Sequence, residues 1–275
     1  MTAPKIVALL FFCFFSHTTV LAEPFLKVEP GAPALGVGGA FTAMVDEATA
    51  SYWNPARLAL LRHTWSSAAG LQLGSGGGSA SLLYASGAYR LNNLGFGVWW
   101  VHHGLSDVME DRGILGAAIS LTTGVLQMGG GMKLMSQTTD TFSASGIGLD
   151  LSAMADFLDM ISIGLMMQDI LQTKLKVGEK IQTSFNPTYR VSGSFRLGSF
   201  TFSSEALLHE EELQSLRFGV EVRLAGIIAI RAGRNNDLWS WGVGIGSLEQ
   251  FRLDVANRQD LNNDDVWMVS GHVAF

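Results

Sequence analysis

The sequence predicts an all-β fold: a transmembrane antiparallel β-barrel of about 14 strands, with an N-terminal hatch in its lumen. Three observations lead there. Hydrophobic residues make up 48% of the chain and the mean hydropathy is positive, yet after residue 22 no apolar run approaches the roughly 20 residues that a spanning helix needs. From about residue 62 the chain breaks into segments of about ten residues that alternate apolar with polar or small side chains, the period of strands. The connections between segments alternate between long and tight, as in a barrel with turns at one end and loops at the other. A chain this apolar, with no spanning helix, satisfies its backbone in lipid by closing a sheet on itself.

The first residues have the parts of a secretory signal. Lys5 is the charged start, residues 6–15 are apolar, and Val20-Leu21-Ala22 form a small-residue cleavage site, so residues 1–22 are expected to be removed. The apolar stretch is about half the length of a membrane anchor. The single cysteine, Cys13, lies inside it behind Leu10-Phe11-Phe12. The mature chain then carries no thiol, which excludes a disulfide framework, thiol catalysis and cysteine metal sites together. Lys and Arg number 18 against 24 Asp and Glu, a net charge of −6, which argues against nucleic acid as a partner.

Residues 23–61 precede the alternating region and do not read as a strand. Their centre is rich in glycine and alanine, from Gly31-Ala32-Pro33-Ala34-Leu35-Gly36-Val37-Gly38-Gly39-Ala40-Phe41 to Ser51-Tyr52-Trp53-Asn54-Pro55-Ala56. Small residues suit a segment packed closely inside other structure, and Asp46 and Asn54-Pro55 are turn and cap formers. These residues are expected to fold into the periplasmic mouth of the barrel.

Residues 62–275 form the barrel proper. The strands fall near 63–73, 79–89, 94–103, 114–122, 125–137, 144–155, 160–169, 187–197, 199–208, 214–224, 227–234, 238–246, 250–257 and 265–275, with ends uncertain by about two to four residues. The clearest is 216–224, where Leu216, Phe218, Val220, Val222 and Leu224 face one way and Arg217, Gly219, Glu221 and Arg223 the other. A water-filled lumen accepts that second face and a sandwich core does not. The same parity places Arg190, Ser192, Ser194 and Arg196, then Gln127 and Lys133, then Ser240, Gly242 and Gly244 inside. Glycines recurring on inner faces leave room for another backbone. Asp150, Glu205, Arg231, Arg252 and Asp254 also fall at inward positions. They are read with Lys133, Arg190, Arg217, Glu221 and Arg223 as salt-bridged lumen charges that hold the plug, rather than as a catalytic carboxylate pair.

The longer connections are 74–78, 104–113, 138–143, 170–186 and 257–264, and the tight ones 90–93, 123–124, 198, 225–226 and 247–249. With both termini periplasmic, the long set faces the cell exterior. Trp65, Trp99, Trp100, Trp239, Trp241 and Trp267 are assigned to the interfacial girdles or the lipid face. The last strand alternates through Trp267 and Val273 and ends on Phe275. That ending resembles the C-terminal signal by which the outer-membrane assembly machinery recognises its barrels.

The stretch from Gly31 to Ala56 resembles the opening of the long-chain fatty acid transporter (FadL-like) superfamily, most of all its PorV/PorQ-type branch. That branch reads G-A-x-A-L-G-M-G-G-A-F, then two acidic residues, then Y-W-N-P-A. The resemblance covers about 25 residues, and beyond it only strand number and alternation agree. It implies a fourteen-stranded barrel with a luminal hatch, in which Gly36, Gly38, Gly39, Asp46, Asn54, Pro55 and Ala56 are hatch residues. Three positions depart from the pattern: Pro33 stands for a common Arg, Glu47 for a second Asp, and Arg57 for a frequent Gly.

Other chemistries find little support. Gly36-Val37-Gly38-Gly39 follows no strand and leads to no Lys-Ser/Thr, unlike a nucleotide loop. His102-His103 is the one histidine pair, and neighbours on a strand point to opposite faces. The expectation is therefore a non-enzyme without cofactor or metal, integral to the outer membrane of a diderm bacterium. Its partners would be membrane lipid, the assembly machinery during insertion, and small hydrophobic molecules passing through. The alternative that the resemblance implies is a non-transporting docking or shuttle barrel whose partners are proteins of the type IX secretion system.

Overall fold

A computed structural model of the chain describes residues 29–74, 80–105, 110–139, 143–171, 174–177, 180–184, 186–209, 212–247, 250–259 and 265–275. The expected signal, residues 1–22, and residues 23–28 of the expected hatch lie outside the described residues.

The strands are β1 (Trp65–Leu73), β2 (Ala80–Leu91), β3 (Leu94–Leu105), β4 (Glu110–Thr122), β5 (Leu126–Thr138), β6 (Ser143–Phe157), β7 (Ile161–Gln168), β8 (Lys174–Val177) and β9 (Lys180–Ser184). They continue with β10 (Thr188–Leu197), β11 (Phe200–His209), β12 (Glu212–Leu224), β13 (Ile228–Asn235), β14 (Leu238–Gly246), β15 (Phe251–Arg258) and β16 (Val266–Ala274). Strands β1 to β7 and β10 to β16 pair antiparallel with their neighbours in the chain, β10 joins β7 directly, and β8 pairs with β6 and β9. The ring closes where Ser66 to Leu73 of β1 meet Ala274 to Trp267 of β16. Fourteen strands thus make a closed wall, which leaves no open edge. Among the described residues no helix is long and apolar enough to cross a membrane.

The predicted parity holds on the wall. Leu216 and Phe218 are exposed while Arg217 and Glu221 are buried, and Trp239, Trp241, Val243 and Ile245 are exposed around a buried Ser240. The exposed apolar side chains of neighbouring strands form a band around the outside. One assignment is corrected: Trp99 is buried in the lumen, not on the girdle. In β3 the outward set is Leu94, Phe96, Val98 and Trp100, so the period of two turns Trp99 inward with Gly95 and Gly97. The other five tryptophans assigned to the girdles or the lipid face lie outside.

The wall also corrects the connection lengths. The strand ends that flank the five expected longer connections lie at the end of the wall away from Trp65 and Phe275, and β3 and β4 extend to Leu105 and Glu110. At the same end β11 and β12 are separated by two residues and β13 and β14 by Asn236-Asp237. The latter forms a tight turn with Asn236 at a φ of 51°, a conformation that asparagine tolerates. The hairpin β8–β9 falls within the predicted 170–186 loop. It continues the β7–β10 pair upward after a break, because Ile170 still donates to the Leu149 carbonyl (3.0 Å) whereas Lys176 pairs with Ser145.

Candidate functional site

Residues 29–61 stand inside the ring, and nearly all of them are buried. They form helix α1 (Ala32–Gly36), helix α2 (Ala50–Trp53) and a 3-10 turn, Pro55–Leu60. Pro33 sits in the first turn of α1, where its missing N–H costs nothing. Gly38 and Gly39 follow with φ of 67° and 80°, and Gly38 lies so close to the backbone of Arg234 that a side chain would overlap it. Gly36 packs on the Arg231 side chain and Gly242.

From there the segment crosses the lumen tethered by its own polar groups. The Thr42 amide donates to Glu205 Oε2 at 3.1 Å, and Ser194 Oγ donates to the Ala43 carbonyl at 3.2 Å. Asn54 takes the cap position between α2 and the 3-10 turn, as expected, although its side chain makes no cap bond. Asn54 Nδ2 donates instead to the Thr42 carbonyl (3.0 Å), tying the two halves of the segment together. Pro55 opens the 3-10 turn, and the Ala56 amide donates to Ser152 Oγ at 2.8 Å.

Four charged residues of this segment reach the wall, among those described. Glu29 meets Arg217 (2.6 Å) and Arg190 (3.6 Å), Asp46 meets Arg223 (3.2 Å), Glu47 meets Arg252 (2.6 Å), and Arg57 meets Asp156 (2.6 Å). Burial pushes the Glu29 and Asp46 carboxyls up, but the facing guanidiniums outweigh it and hold both below the usual carboxylate range. Arg217, Arg190 and Arg258 act on Glu29, and Arg223, Arg252, Arg57 and Arg196 on Asp46. Both are therefore anions at neutral pH. Burial pushes the Tyr52 phenol up, so it stays neutral.

The wall charges pair further among themselves. Glu205 accepts from Arg190 (3.2 Å) and Arg217 (3.5 Å), and Glu221 from Arg223 (2.6 Å) and Arg231 (2.7 Å). Asp254 accepts from Arg231 (2.7 Å) and Arg252 (2.5 Å). Arg231 on β13 reaches Asp254 on β15 across β14 because the intervening inward residue is Gly244. Arg190 also stacks its guanidinium 4.9 Å from the Trp53 ring, a cation–π contact. Lys133 stands apart from the segment. It bridges Asp150 and Asp169, each at 3.0 Å, while Asp150 also accepts from the Asp169 amide at 2.9 Å. Asp169 has a φ of 58°, so this group fixes the break between β7 and β8.

Glycine notches receive the segment on both sides of the ring. A Cβ on Gly95, Gly97 or Gly129, in β3 and β5, would collide with Leu58, Ser51 or the Pro55-Ala56 backbone, and one on Gly219 or Gly233, in the charged wall, with Val37. Tyr52 stands edge-on to Trp53 and Trp99, with centroids 5.6 and 5.1 Å apart. Val101, Ile114, Ala118 and Met135 complete one apolar cluster with the segment.

Sequence reading had named the ten lumen charges and seven segment residues but did not place Glu29, Glu47, Arg57, Asp156 and Asp169 in the site. Asp156 carries the same inward parity as Asp150 in β6, so its signal was present. Glu29 and Arg57 lie where no alternation applies. Trp267, Val273 and Phe275 point outward, and Phe275 exchanges two backbone hydrogen bonds with Trp65 at the seam.

Comparison with protein-family models and with curated proteins gives no match. Solved structures do match. The toluene transporter TbuX of Ralstonia pickettii superposes with a TM-score of 0.69 at 14% identity, covering 89% of this chain and 98% of that one. The toluene transporter TodX of P. putida gives 0.64 at 10% identity, covering 88% and 99%. At such identities the likeness is one of fold alone.

Proposed function

We propose that this chain is an outer-membrane barrel that passes small hydrophobic molecules, with residues 29–61 as the hatch in its path. One observation carries the reading: the lumen is occupied by a segment of the same chain whose first part adds to its packing three carboxylates paired with wall arginines. Ion pairs are exchanged for water more readily than packed apolar surface, because hydration repays their desolvation cost. The outer band of exposed Leu, Ile, Val, Phe and Trp supports membrane insertion. The like fold of two toluene transporters supports hydrophobic cargo. Strand parity and the expected export signal support the outer membrane of a diderm bacterium as the location.

The test is a liposome swelling assay on the purified protein with and without residues 23–57, paired with uptake of a hydrophobic panel by cells carrying or lacking the gene. Faster swelling on truncation and slower uptake on deletion are expected. Unchanged uptake across the whole panel would refute transport.

A second reading is favoured by the short connections at the loop end, two residues each between β11 and β12 and between β13 and β14. They give a low rim suited to docking, as in a PorV-type barrel of a protein secretion system. Co-purification of secretion proteins with the intact barrel would select this reading over transport.

A further inference from the structure

A groove of about 970 Å³ runs along the outer face of β4 to β6 near the loop end, and β8 forms its far bank. Its floor is set by two neighbouring rows of the sheet. The lower row is Trp100, Leu115, Leu134 and Ile147, paired in register and all exposed. One step nearer the loop end, the outward row becomes Gly113, Ser136, Ser145 and Lys176, again paired strand to strand. The change from large apolar side chains to glycine, hydroxyls and a cation marks where the hydrocarbon ends and the headgroup region begins.

Lys174 and Lys176 both line the groove and are exposed. Two residues apart on a strand, they project on the same side, with Lys174 the nearer to the apolar row. Of the six lysines in the chain, three lie within residues 174–180, in a protein that is otherwise net acidic. The two groove lysines have no carboxylate partner among the described ion pairs, in contrast to the buried Lys133. An apolar trough with small hydroxyl residues and two cations at its upper rim complements a lipid whose acyl chain lies on Leu115, Leu134 and Ile147 and whose phosphate meets the ammonium groups.

We propose that this groove is a binding site for an anionic, phosphate-bearing lipid of the leaflet at the loop end. The proposal rests on the barrel reading, since it requires the outer face to lie in a membrane. The probe is dioleoyl phosphatidic acid, with dioleoyl phosphatidylcholine as the neutral control, added to the detergent-purified full chain and read by native mass spectrometry. Retention of one phosphatidic acid at several-fold higher occupancy than phosphatidylcholine is expected. Lys174→Gln with Lys176→Gln should bring it down to the neutral level, and Ser136→Trp, which fills the floor and keeps both lysines, should do the same. Arg234→Gln, a charge removed elsewhere on the surface, should leave it unchanged.

Equal retention of the two lipids, undiminished retention by the double variant, or its loss in the Arg234 variant as well would overturn the site. So would displacement of the phosphatidic acid by a neutral hydrocarbon alone. Flotation of the same protein with phosphatidylcholine vesicles separates the two readings. A chain that floats but shows no phosphate preference loses only this site, and one that does not float loses the membrane reading with it.

Discussion

Along β10 to β15 the lumen wall meets residues 29–47 with guanidinium and carboxylate groups, whereas along β2 to β6 it meets residues 50–61 mainly with glycine, alanine and apolar side chains. The first contact adds directional groups that water can satisfy to a backbone fit of its own at Gly219 and Gly233. The second is mainly a close fit, with Leu58 and the Pro55-Ala56 backbone set into notches at Gly95 and Gly129, and opening it would expose apolar surface and leave voids. If the segment moves, its first half moves more readily and residues 50–61 act as the anchor. The wall charges pair with one another as well as with the segment, so the arginines keep partners when the segment leaves.

The largest effect that would sharpen this contrast comes from Glu205, which is fully buried between Arg190 and Arg217. Glu205→Leu leaves Arg190 and Arg217 to share Glu29 and strips the Thr42 amide of its acceptor, a cost of about 3–5 kcal/mol. Hydrogen exchange should show residues 29–47 losing protection while 50–61 keep theirs, and equal loosening of both halves would break the comparison. On the other wall, Gly129→Val drives a side chain into the Pro55-Ala56 backbone, at a cost of roughly 1–3 kcal/mol from overpacking. There the expected pattern is reversed: residues 50–61 become accessible to protease first.

Acid offers a milder probe of the same contrast. Glu29 and Asp46 titrate below their ordinary values of 4.5 and 3.8 in the folded chain. Their contribution is complete above those ordinary values and is lost as the pH falls through the lowered ones. Protection of residues 29–47 should therefore be flat from pH 7 to pH 5 and begin to decline only below 4.5, the ordinary value of Glu29, with residues 50–56 unaffected. A decline already complete at pH 5 would contradict the assigned pairing. The smallest effect expected is for Arg57→Gln, which removes the partly exposed pair with Asp156 and should cost about 1 kcal/mol or less in urea unfolding.

Much of the wall was legible in the residues. Each strand carries its own record of which side meets lipid, so Leu216 to Leu224 could be sorted without knowing any neighbour. The inward glycines announced a close-packed occupant for the same local reason. Trp99 was misassigned because tryptophan on a barrel suggests a girdle, although its parity with Gly95 and Gly97 pointed inward. Asn54 stands at a cap as expected, but the bond from its side-chain amide to Thr42, twelve positions away in the chain, was not legible.

What the sequence determined by itself is the alternation, the strand number and the glycine-rich occupant, since these follow from a period of two and from residue size. What only the tertiary structure decided is which groups meet. Arg231 finds Asp254 across a glycine on the strand between them, Glu47 finds Arg252 205 positions away, and Asp169 turns inward to Lys133 at a strand break. Those meetings depend on how far the strands are staggered around the closed ring and on the path of the segment inside it. Neither quantity is written in any one stretch of chain.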